Sequence, residues 1–395
     1  MPTLRIVADE NIPLARDLFG KMGEVRLLPG RAITREKLED ADVLLVRSVT
    51  RVDENLLKGT RIRFVGTATI GTDHIETDYL HQHEISWASA PASNADSVVE
   101  YVLAVLLVFA IRGRESLRGK VLGVVGCGSV GSRVARRFRA LGMNVLKNDP
   151  PLARQAEAAG LTHSYHPLGD VLEQADVLTC HVPLTSTGPD ATYHLIGPKE
   201  LDVLGPHAWL LNTSRGPVVD NEALLEVLRR GWPAAVALDV WENEPVPASG
   251  LIERVHIATP HIAGYSYEGK VNGALMLLDA LADHLGVDPP GIHDIVDTSS
   301  VEAVSPDPAL PETDWLHHLV KGMYDVAADD RGMRLEWPLD ADRATDHFTG
   351  LRRTYPKRRT FGAYHLRADH VPEPYRQAVE KGVGVRLEGS SGTGR

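Results

Sequence analysis

The sequence predicts an α/β fold made of two doubly wound, Rossmann-like lobes with a cleft between them, followed by a smaller α+β domain at the C-terminus. Three observations predict this fold class. Short apolar runs alternate with helical patterns through residues 4–285, a glycine-rich turn joins one run to a helix, and a Pro- and Ser-rich stretch separates the rest of the chain. At 395 residues the chain is long enough for about two or three domains.

Composition and charge narrow the class of protein. The chain has 42 Lys and Arg against 53 Asp and Glu, a net charge of −11, which argues against a general nucleic-acid-binding face. Cys127 and Cys180 are too few for a disulfide framework, and no signal peptide precedes the first apolar run, so we expect a cytoplasmic protein. The most apolar stretch, 98–111, contains Glu100 and is shorter than the roughly 20 residues that cross a bilayer. It is predicted to be a buried helix, and no membrane partner is expected.

Residues 1–95 are predicted to form a substrate-binding lobe with a parallel sheet. Four apolar runs in this part of the chain are typical of buried strands: Leu4–Ala8, Val43–Arg47, Arg63–Thr67 and Ile85–Ala88. A long helix over Tyr267–Leu285 has its apolar residues at helical spacing, so we expect residues 266–290 to complete this lobe.

Two loops of this lobe carry polar groups that suit an anionic ligand. Residues 47–50 and 66–74 follow two of the predicted strands and offer hydroxyls, backbone amides and the guanidinium of Arg47. Ordinary turn chemistry explains the same residues equally well, so the pattern alone leaves both interpretations open.

A glycine-rich turn begins the second lobe's nucleotide site. The β-rich run Val121–Val125 leads directly into Gly126-Cys127-Gly128-Ser129-Val130-Gly131, and the residues after this turn have the apolar spacing of a helix. We expect Gly126 to allow the tight turn, Gly128 to let the backbone approach a pyrophosphate, and Gly131 to let helix and strand pack closely.

An acidic residue follows the next predicted strand of this lobe, which spans residues 96–265. Asp149 comes directly after Val145–Asn148, where an acid should bond the adenosine ribose diol, and this favours NAD over NADP. Further strands are predicted at Asp176–His181, Trp209–Asn212, Ala235–Val240 and Val255–Ala258. Topology places several loop residues near the cofactor: Val182, Thr213, Ser214 and Asp239.

Three residues at the ends of these strands form a plausible acid/base site. Arg215, Glu244 and His261 each follow an apolar run, and ligands bind at the carboxyl ends of such strands. A guanidinium grips a carboxylate, an imidazole titrates near neutral pH, and a neighbouring carboxylate orients that imidazole. The set suits oxidation of a 2-hydroxy acid, and Gly264 would allow close approach of a cofactor. Glu242 is a rival partner for the histidine, and the spacing does not choose between the two.

These motifs together resemble the D-isomer-specific 2-hydroxyacid dehydrogenases over about the first 290 residues. The resemblance implies catalytic roles for Arg215, Glu244 and His261, and so favours Glu244 over Glu242. It implies NAD contacts at Asp149, Val182, Thr213, Ser214, Arg215, Asp239 and Gly264, and substrate contacts at Ser48, Thr69 and Tyr265. Val182 stands in place of a threonine, and Thr213 and Ser214 in place of an Ala-Cys pair, so these contacts are expected through the backbone.

The C-terminal part extends the resemblance to one branch of that family. After a linker at 291–311, the segment 346–359 resembles a dimerisation domain, here expected over residues 312–385. The resemblance implies a homodimer that acts on a phosphorylated 2-hydroxy acid. Arg47 is the first candidate for the phosphate. Weaker ones, reaching across the dimer, are Arg352, Arg353, Arg358 and Arg359, which fit a solvated basic face or an intersubunit ion-pair cluster at least as well. Residues 386–395 are predicted to be a disordered tail.

Two alternatives share the nucleotide-binding residues. Another 2-hydroxyacid dehydrogenase, such as a 3-phosphoglycerate dehydrogenase, would keep every one of them but not the C-terminal segment. An NAD-sensing scaffold related to transcriptional corepressors would keep the Arg, Glu and His but bind partner peptides. No metal site is predicted.

Overall fold

A computed structural model describes residues 3–232, 234–335, 337 and 340–389. The strands are β1 (Leu4–Asp9), β2 (Gly23–Leu28), β3 (Val43–Val46), β4 (Phe64–Thr67), β5 (Ser86–Ala88), β6 (Val121–Val125), β7 (Asn144–Asn148), β8 (Val177–Cys180), β9 (Trp209–Asn212), β10 (Ala235–Leu238), β11 (Ile257–Ala258), β12 (Val301–Glu302), β13 (Tyr364–Arg367) and β14 (Arg386–Glu388).

The α-helices are α1 (Ala15–Phe19), α2 (Glu54–Leu57), α3 (Thr77–Gln82), α4 (Ala95–Gly113), α5 (Ser129–Ala140), α6 (Pro150–Ala158), α7 (Leu168–Gln174), α8 (Pro198–Leu204), α9 (Asn221–Arg229), α10 (Ser249–Ile252), α11 (Tyr267–Leu285), α12 (Glu312–Met323), α13 (Val326–Arg334) and α14 (Ala341–Arg353). Short 3₁₀ helices lie at Gly30–Ala32, Arg35–Leu38, Gly216–Val218, Phe361–Ala363, Ala368–His370 and Glu373–Tyr375, and a π-helical turn at Ala378–Val383. Within the described ranges, no helix is long and apolar enough to cross a membrane.

The chain divides into two compact units, described separately below. Unit 1 comprises the described residues up to Ala95 together with Tyr265–Ser299, and unit 2 comprises Asp96–Gly264 and the described residues from Ser300 onward. Unit 2 therefore contains both the predicted nucleotide lobe and the predicted C-terminal domain. The boundaries expected between these two parts stay predictions.

Unit 1 is built on a parallel sheet with the strand order β2-β1-β3-β4-β5. The four predicted strands are present. Strands β1, β3 and β4 are apolar runs that the unit largely buries, whereas β5 is a more exposed edge strand. The edge strand β2 was not predicted, since its residues alternate between partly buried and exposed and include the charged Glu24 and Arg26. Helix α11 packs its buried leucines against this sheet, where a Cβ added to Gly66 would lie 3.2 Å from Leu277.

Unit 2 contains a six-stranded parallel sheet with the order β11-β10-β9-β8-β6-β7. The chain runs from β6 to β7 on one side and returns to β8 on the other, so the strand order reverses at β6 and β8. The register aligns the last residues of five neighbouring strands: Val125, Cys180, Asn212, Leu238 and Ala258. The loops that follow these strands therefore share one edge of the sheet, and the predicted doubly wound α/β class is confirmed.

The buried helix predicted over residues 98–111 is α4. Its residues from Val98 to Ala110 are almost all buried in the larger hydrophobic core of unit 2, including the charged Glu100, which is 0% exposed. A carboxylate with no exposure to water in an apolar helix requires an explanation, since such groups are rarely buried unless they are paired.

The C-terminal part of unit 2 is attached to the edge of the six-stranded sheet. Asp330 on α13 accepts a hydrogen bond of 2.7 Å from the backbone N–H of Ala258 in the edge strand β11. Arg334 donates to the carbonyl oxygens of Ile252 and Val255 just before that strand. These contacts cover an otherwise open edge.

Two expectations for the C-terminal part are wrong in detail. Residues 291–311 are not only a linker, because Val301–Glu302 form β12 and pair with β13. Residues 386–395 are not a tail throughout, because Arg386–Glu388 form β14 and pair with β13 on its other side. Both strands are short and partly exposed, so they lack the apolar run that marks a buried strand. Residues 390–395 of the predicted tail lie outside the described residues.

Candidate active site

The glycine-rich turn has the geometry that its sequence predicts. Gly126 has φ +86°, and a Cβ there would lie 2.7 Å from the carbonyl oxygen of His181. A Cβ on Gly131 would lie 1.9 Å from the carbonyl oxygen of Gly126, so helix α5 and the turn can approach only without a side chain. Gly128 differs, because a Cβ there would meet nothing in the described residues within 4 Å. The turn is therefore open at Gly128, the position expected to face a pyrophosphate.

Asp149 lies against the same turn. Its carboxylate accepts hydrogen bonds from the backbone N–H groups of Cys127 at 2.8 Å and Leu152 at 3.0 Å, so it joins the turn to the N-terminus of α6. Its contact with a ribose stays a prediction. Burial, aided by Asp149, raises the pKa of the Cys127 thiol to about 12, so this cysteine stays protonated in the turn.

His181 was not predicted as part of the site. It follows β8, where its Nε2 lies 3.0 Å from the hydroxyl of Thr179 and its Nδ1 lies 3.2 Å from the hydroxyl of Thr213. Desolvation lowers the pKa of His181 to about 3, so the ring is neutral near pH 7. The neutral ring lies between the hydroxyls of Thr179 and Thr213 and hydrogen-bonds to both. It thereby fixes Thr213, one of the predicted cofactor contacts.

The structure pairs His261 with Glu244. The Nδ1 atom of His261 lies 2.8 Å from Oε2 of Glu244, while Oε1 of the same carboxylate accepts the backbone N–H of Trp241 at 2.9 Å. Glu242 lies elsewhere, with its Oε1 2.6 Å from Nε2 of His194. The choice of Glu244 over Glu242 is therefore supported by geometry, and Nε2 of His261 remains the ring nitrogen directed away from the carboxylate.

The Glu244 carboxylate is held in its ionised form. Burial opposes its ionisation, but the charge and hydrogen bond of His261, the Trp241 amide and the charge of Arg352 outweigh burial and lower the pKa of Glu244. An ionised carboxylate accepts the Nδ1 proton of His261 and so fixes the orientation of the ring.

The loop that carries His261 is strained and closely held. His261 has φ +58°, a left-handed conformation that costs a non-glycine residue on the order of 1–2 kcal/mol. Asp239 holds this loop: its carbonyl oxygen accepts the N–H of His261 at 2.7 Å, and its carboxylate accepts the N–H groups of Ile262 at 2.7 Å and Ala263 at 2.9 Å. Asp239 is 1% exposed. Its cofactor contact stays a prediction, and its support of the loop was not predicted.

The loop of Arg215 packs directly against the loop of Glu244. A Cβ on Gly216 would lie 1.9 Å from the carbonyl carbon of Trp241, so only glycine allows this approach. Asn212 at the end of β9 organises the turn by donating to the carbonyl oxygen of Arg215 at 2.8 Å and accepting from the Ser214 hydroxyl at 2.8 Å. The three predicted catalytic residues thus follow β9, β10 and β11, which are neighbours in the sheet.

In unit 1 the structure brings together two predicted substrate contacts. Arg47 donates to the hydroxyl of Tyr265 at 3.1 Å, and the Nζ atom of Lys270 lies 4.1 Å from the centre of the Tyr265 ring. The hydroxyl of Thr69 bonds to the Gly71 carbonyl oxygen at 2.8 Å. Lys270 was not predicted, although its position five residues after Tyr265, in the first turns of α11, was a usable signal. Ser48 is exposed on the loop after β3.

Arg358 is not available as a phosphate ligand. Its side chain is buried, at 7% exposure, and its Nη2 donates to the carbonyl oxygens of Ser97 and Ala263, each at 3.1 Å. The weak assignment of Arg358 to the phosphate is therefore wrong. The only sequence signal for its burial was Glu100, the charged residue inside the apolar α4 pattern.

Comparison with known proteins places this geometry in a family. A model of the D-isomer specific 2-hydroxyacid dehydrogenase, NAD binding domain, matches residues 110–263, and a model of a domain of unknown function matches residues 296–380. The chain is 50% identical over 392 residues to erythronate-4-phosphate dehydrogenase of Salinibacter ruber, covering 98% of this chain and 100% of that one. It is 45% identical over 385 residues to erythronate-4-phosphate dehydrogenase of Azotobacter vinelandii, covering 95% and 98%.

Solved structures agree with the fold. D-Lactate dehydrogenase from Aquifex aeolicus, complexed with NAD and lactic acid, is 26% identical with a TM-score of 0.60, covering 71% of this chain and 96% of that one. NAD-bound 3-phosphoglycerate dehydrogenase from Entamoeba histolytica is 25% identical with a TM-score of 0.61, covering 72% and 96%. The predictions of an oxidoreductase and of NAD as its cofactor are confirmed by the family model and by the relatives.

Proposed function

Since the chain belongs to the erythronate-4-phosphate dehydrogenase family, we propose that it oxidises 4-phospho-D-erythronate at C2 to 3-hydroxy-2-oxo-4-phosphooxybutanoate with NAD, a step of pyridoxal 5′-phosphate synthesis. The observation that carries this proposal is the 2.8 Å pair of His261 and Glu244 at the carboxyl edge of a nucleotide-binding sheet. It supplies a base next to the place where such sheets bind their ligand.

The pair would act as a general base. With its Nδ1 proton donated to Glu244, neutral His261 has a free lone pair on Nε2, and this atom would take the proton of the 2-hydroxyl group. The imidazolium that forms would be stabilised by the ionised Glu244. Proton removal makes the C2 hydrogen a better hydride donor.

NAD, when bound, supplies the acceptor for the C2 hydride. The residues fit such a group, because the turn is open at Gly128 while Gly126 and Gly131 tolerate no side chain. We propose that its contacts are Gly126, Gly128, Ser129, Val130, Gly131, Asp149, Val182, Thr213, Ser214, Arg215, Asp239 and Gly264.

Arg215 would anchor the substrate carboxylate. A guanidinium binds a carboxylate bidentately and also stabilises the negative charge that develops on the C2 oxygen. The packing of its loop against that of Glu244 supports this role.

The residues of unit 1 would contact the rest of the substrate. Ser48, Thr69 and Tyr265 are the proposed contacts, and Arg47 is the first candidate for the phosphate. The cationic groups of Lys270 and Arg47 both lie near the ring of Tyr265, which supports a positively charged patch in this unit.

A homodimer and a cytoplasmic location complete the proposal. The C-terminal segment resembles a dimerisation domain, so we expect a solution mass of twice 43.1 kDa, which sedimentation equilibrium measures. Cys127 and Cys180 are both free thiols, as a reducing compartment requires.

The test is NADH formation by the purified protein with 4-phospho-D-erythronate, 3-phosphoglycerate and D-lactate, with a parallel assay containing a 2-oxo acid acceptor in case NADH is retained. A higher kcat/KM for 4-phospho-D-erythronate is expected. A higher value for another acid would keep the chemistry and replace the substrate. Turnover of none, together with NADH-dependent binding of a peptide partner, would favour the scaffold alternative.

A further inference from the structure

One buried arginine joins the C-terminal segment to the His261 loop. Arg358 lies 95 residues from Ala263 in sequence, yet its Nη2 donates to the Ala263 carbonyl oxygen at 3.1 Å. The same Nη2 donates at 3.1 Å to the carbonyl oxygen of Ser97 in the first turn of α4. We propose that Arg358 is a positioning residue, which holds the loop of the catalytic base in its reactive conformation. This inference rests on the proposed function, because it takes His261 to be the base.

The His261 loop is held by hydrogen bonds both to its N–H groups and to a carbonyl oxygen. Asp239 holds the N–H groups of His261, Ile262 and Ala263, but it contributes only acceptors. Arg358 supplies a donor to the carbonyl side of Ala263, so this residue is held at both its N–H and its C=O. A residue with φ +58° keeps such a conformation only while its neighbours prevent relaxation. Loss of the Arg358 bond therefore frees the end of the loop that follows His261.

The guanidinium itself is rigidly held. Its carbon lies 4.2 Å from the centre of the Tyr324 ring, a stacked cation–π position. The Tyr324 hydroxyl and the Tyr355 hydroxyl both donate to Asp329 at 2.9 Å, which fixes the ring that Arg358 covers. These partners all belong to the C-terminal segment, so the segment contributes a preformed support to the loop.

Glu100 on α4 binds the same part of the C-terminal segment. It is completely buried on α4, and its Oε1 accepts the N–H of Phe361, three residues after Arg358, at 2.7 Å. Burial raises the pKa of Glu100 to about 7, and the charge of Arg358 limits that rise. The unexpected carboxylate in α4 therefore has a partner in the backbone of the C-terminal segment.

The buried charge of Arg358 is unfavourable for the free energy of folding. Among the described residues, its buried Nε and Nη1 atoms have no hydrogen-bond partner. Burying a charge with unmet donors costs folding free energy, and apolar replacements of such groups are often neutral or stabilising. A role in positioning the loop accounts for the arginine better than a gain in stability.

The test compares Arg358→Met with wild type, using Lys357→Met as the matched control. Lys357 is the adjacent residue and is exposed. Two readouts are needed: kcat and KM with 4-phospho-D-erythronate, and hydrogen exchange of the Ile262 and Ala263 amides. In Arg358→Met we expect kcat to fall at least about 10-fold, NADH affinity to stay within about threefold, and both amides to exchange faster. Lys357→Met should match wild type in all of these.

Several outcomes would overturn the inference. One is a kcat for Arg358→Met within about twofold of wild type, and another is unchanged exchange of the two amides. A third is an equal loss of kcat, NADH affinity and thermal stability, which would indicate a merely structural residue. If Arg358→Met does not fold, Arg358→Lys decides, because it keeps the charge but not the planar double donor: kcat should fall at least about threefold with NADH affinity retained. Failure of both variants to fold would assign the arginine to folding and overturn the positioning role. If wild type itself does not turn over the substrate, the proposed function fails, while the exchange readout still tests the support of the loop.

Discussion

His261 holds a backbone conformation that few non-glycine residues adopt, and its neighbours explain how it does so. Asp239 binds three successive N–H groups of the loop, and Glu244 fixes the ring through Nδ1. Backbone and side chain are therefore both determined before any substrate binds. Such preorganisation lowers the cost of aligning a base with the proton that it removes.

Substitutions at Glu244 and Glu242 test the pairing of His261 with Glu244. Glu244→Gln keeps the shape but cannot stabilise the imidazolium charge, so kcat should fall about 10²-fold, with NADH affinity retained. Glu242→Gln is the matched control, since Glu242 bonds to His194 instead, and its kcat should stay within about threefold of wild type. Steady-state kinetics measure both. A larger loss for Glu242→Gln than for Glu244→Gln would contradict the assignment.

Arg47 tests the proposed phosphate contact. In Arg47→Ala, KM for 4-phospho-D-erythronate should rise about 10-fold or more, because a charge-assisted bond to the phosphate is lost, while KM for NAD stays constant. Arg51→Ala is the control: Arg51 is 78% exposed and pairs with Asp53. An unchanged KM in Arg47→Ala would exclude the contact.

Among the elements, the glycine-rich turn allows cofactor binding to be tested without a change in folding. Gly128→Ala adds a methyl group where the described residues leave space, so the protein should fold with an unchanged Tm. The methyl group would face the proposed pyrophosphate, so NADH affinity, measured by fluorescence titration, should fall about 10-fold.

The matched control for that change is Gly169→Ala in α7. A Cβ there also meets nothing in the described residues within 4 Å, and alanine favours a helix over glycine by about 1 kcal/mol. Gly169→Ala should therefore keep its NADH affinity. Equal affinities in Gly128→Ala and wild type would show that the turn does not approach the cofactor.

The strands that the sequence predicts most directly are continuous apolar runs. Strands such as β6 and β9 are continuous apolar runs with nearly every residue buried, and a parallel sheet between helices requires this. Strands β2, β12, β13 and β14 were not predicted, because they carry exposed or charged residues and lack a continuous buried apolar run. An apolar pattern therefore identifies a strand by its composition and not by its place in the sheet.

Those site residues that directly follow neighbouring parallel strands could be predicted from the sequence. Arg215, Glu244 and His261 follow adjacent strands, so the sequence was enough to bring them to one edge of the sheet. The choice between Glu242 and Glu244 was not predictable from spacing, because two residues on one loop can point in different directions. The contacts of Arg358 were not predictable either, since its hydrogen-bond acceptors are backbone carbonyl oxygens, which the residue types do not reveal.

At the scale of the whole molecule, the C-terminal segment is part of unit 2. Asp330 covers the edge of β11, Arg334 bonds to the residues before it, and Arg358 reaches the loop that follows it. The segment therefore supports one strand and its catalytic loop at three successive places. The role of the segment in dimerisation stays a prediction.

Burial of Glu100 gives unit 2 a pH-dependent stability. The pKa of this carboxyl is raised from 4.5 to about 7, so the folded chain keeps a proton that the unfolded chain releases. Its contribution is fully present below about pH 4.5 and is lost as the pH rises to about 7. The Tm of Glu100→Gln relative to wild type should therefore increase between about pH 5 and pH 8. Glu173→Gln, at an exposed position on α7, is the control, and a difference in Tm that does not change with pH would contradict the account.

The role of His261 as the base is tested by a single-turnover measurement of NADH formation. NAD-loaded wild type and His261→Asn are each mixed with 4-phospho-D-erythronate. We predict rapid NADH formation by wild type and a rate about 10²–10⁴-fold lower for His261→Asn, with NADH affinity unchanged, because only the general base is lost. Equal rates for the two proteins would contradict the assignment of His261 as the base.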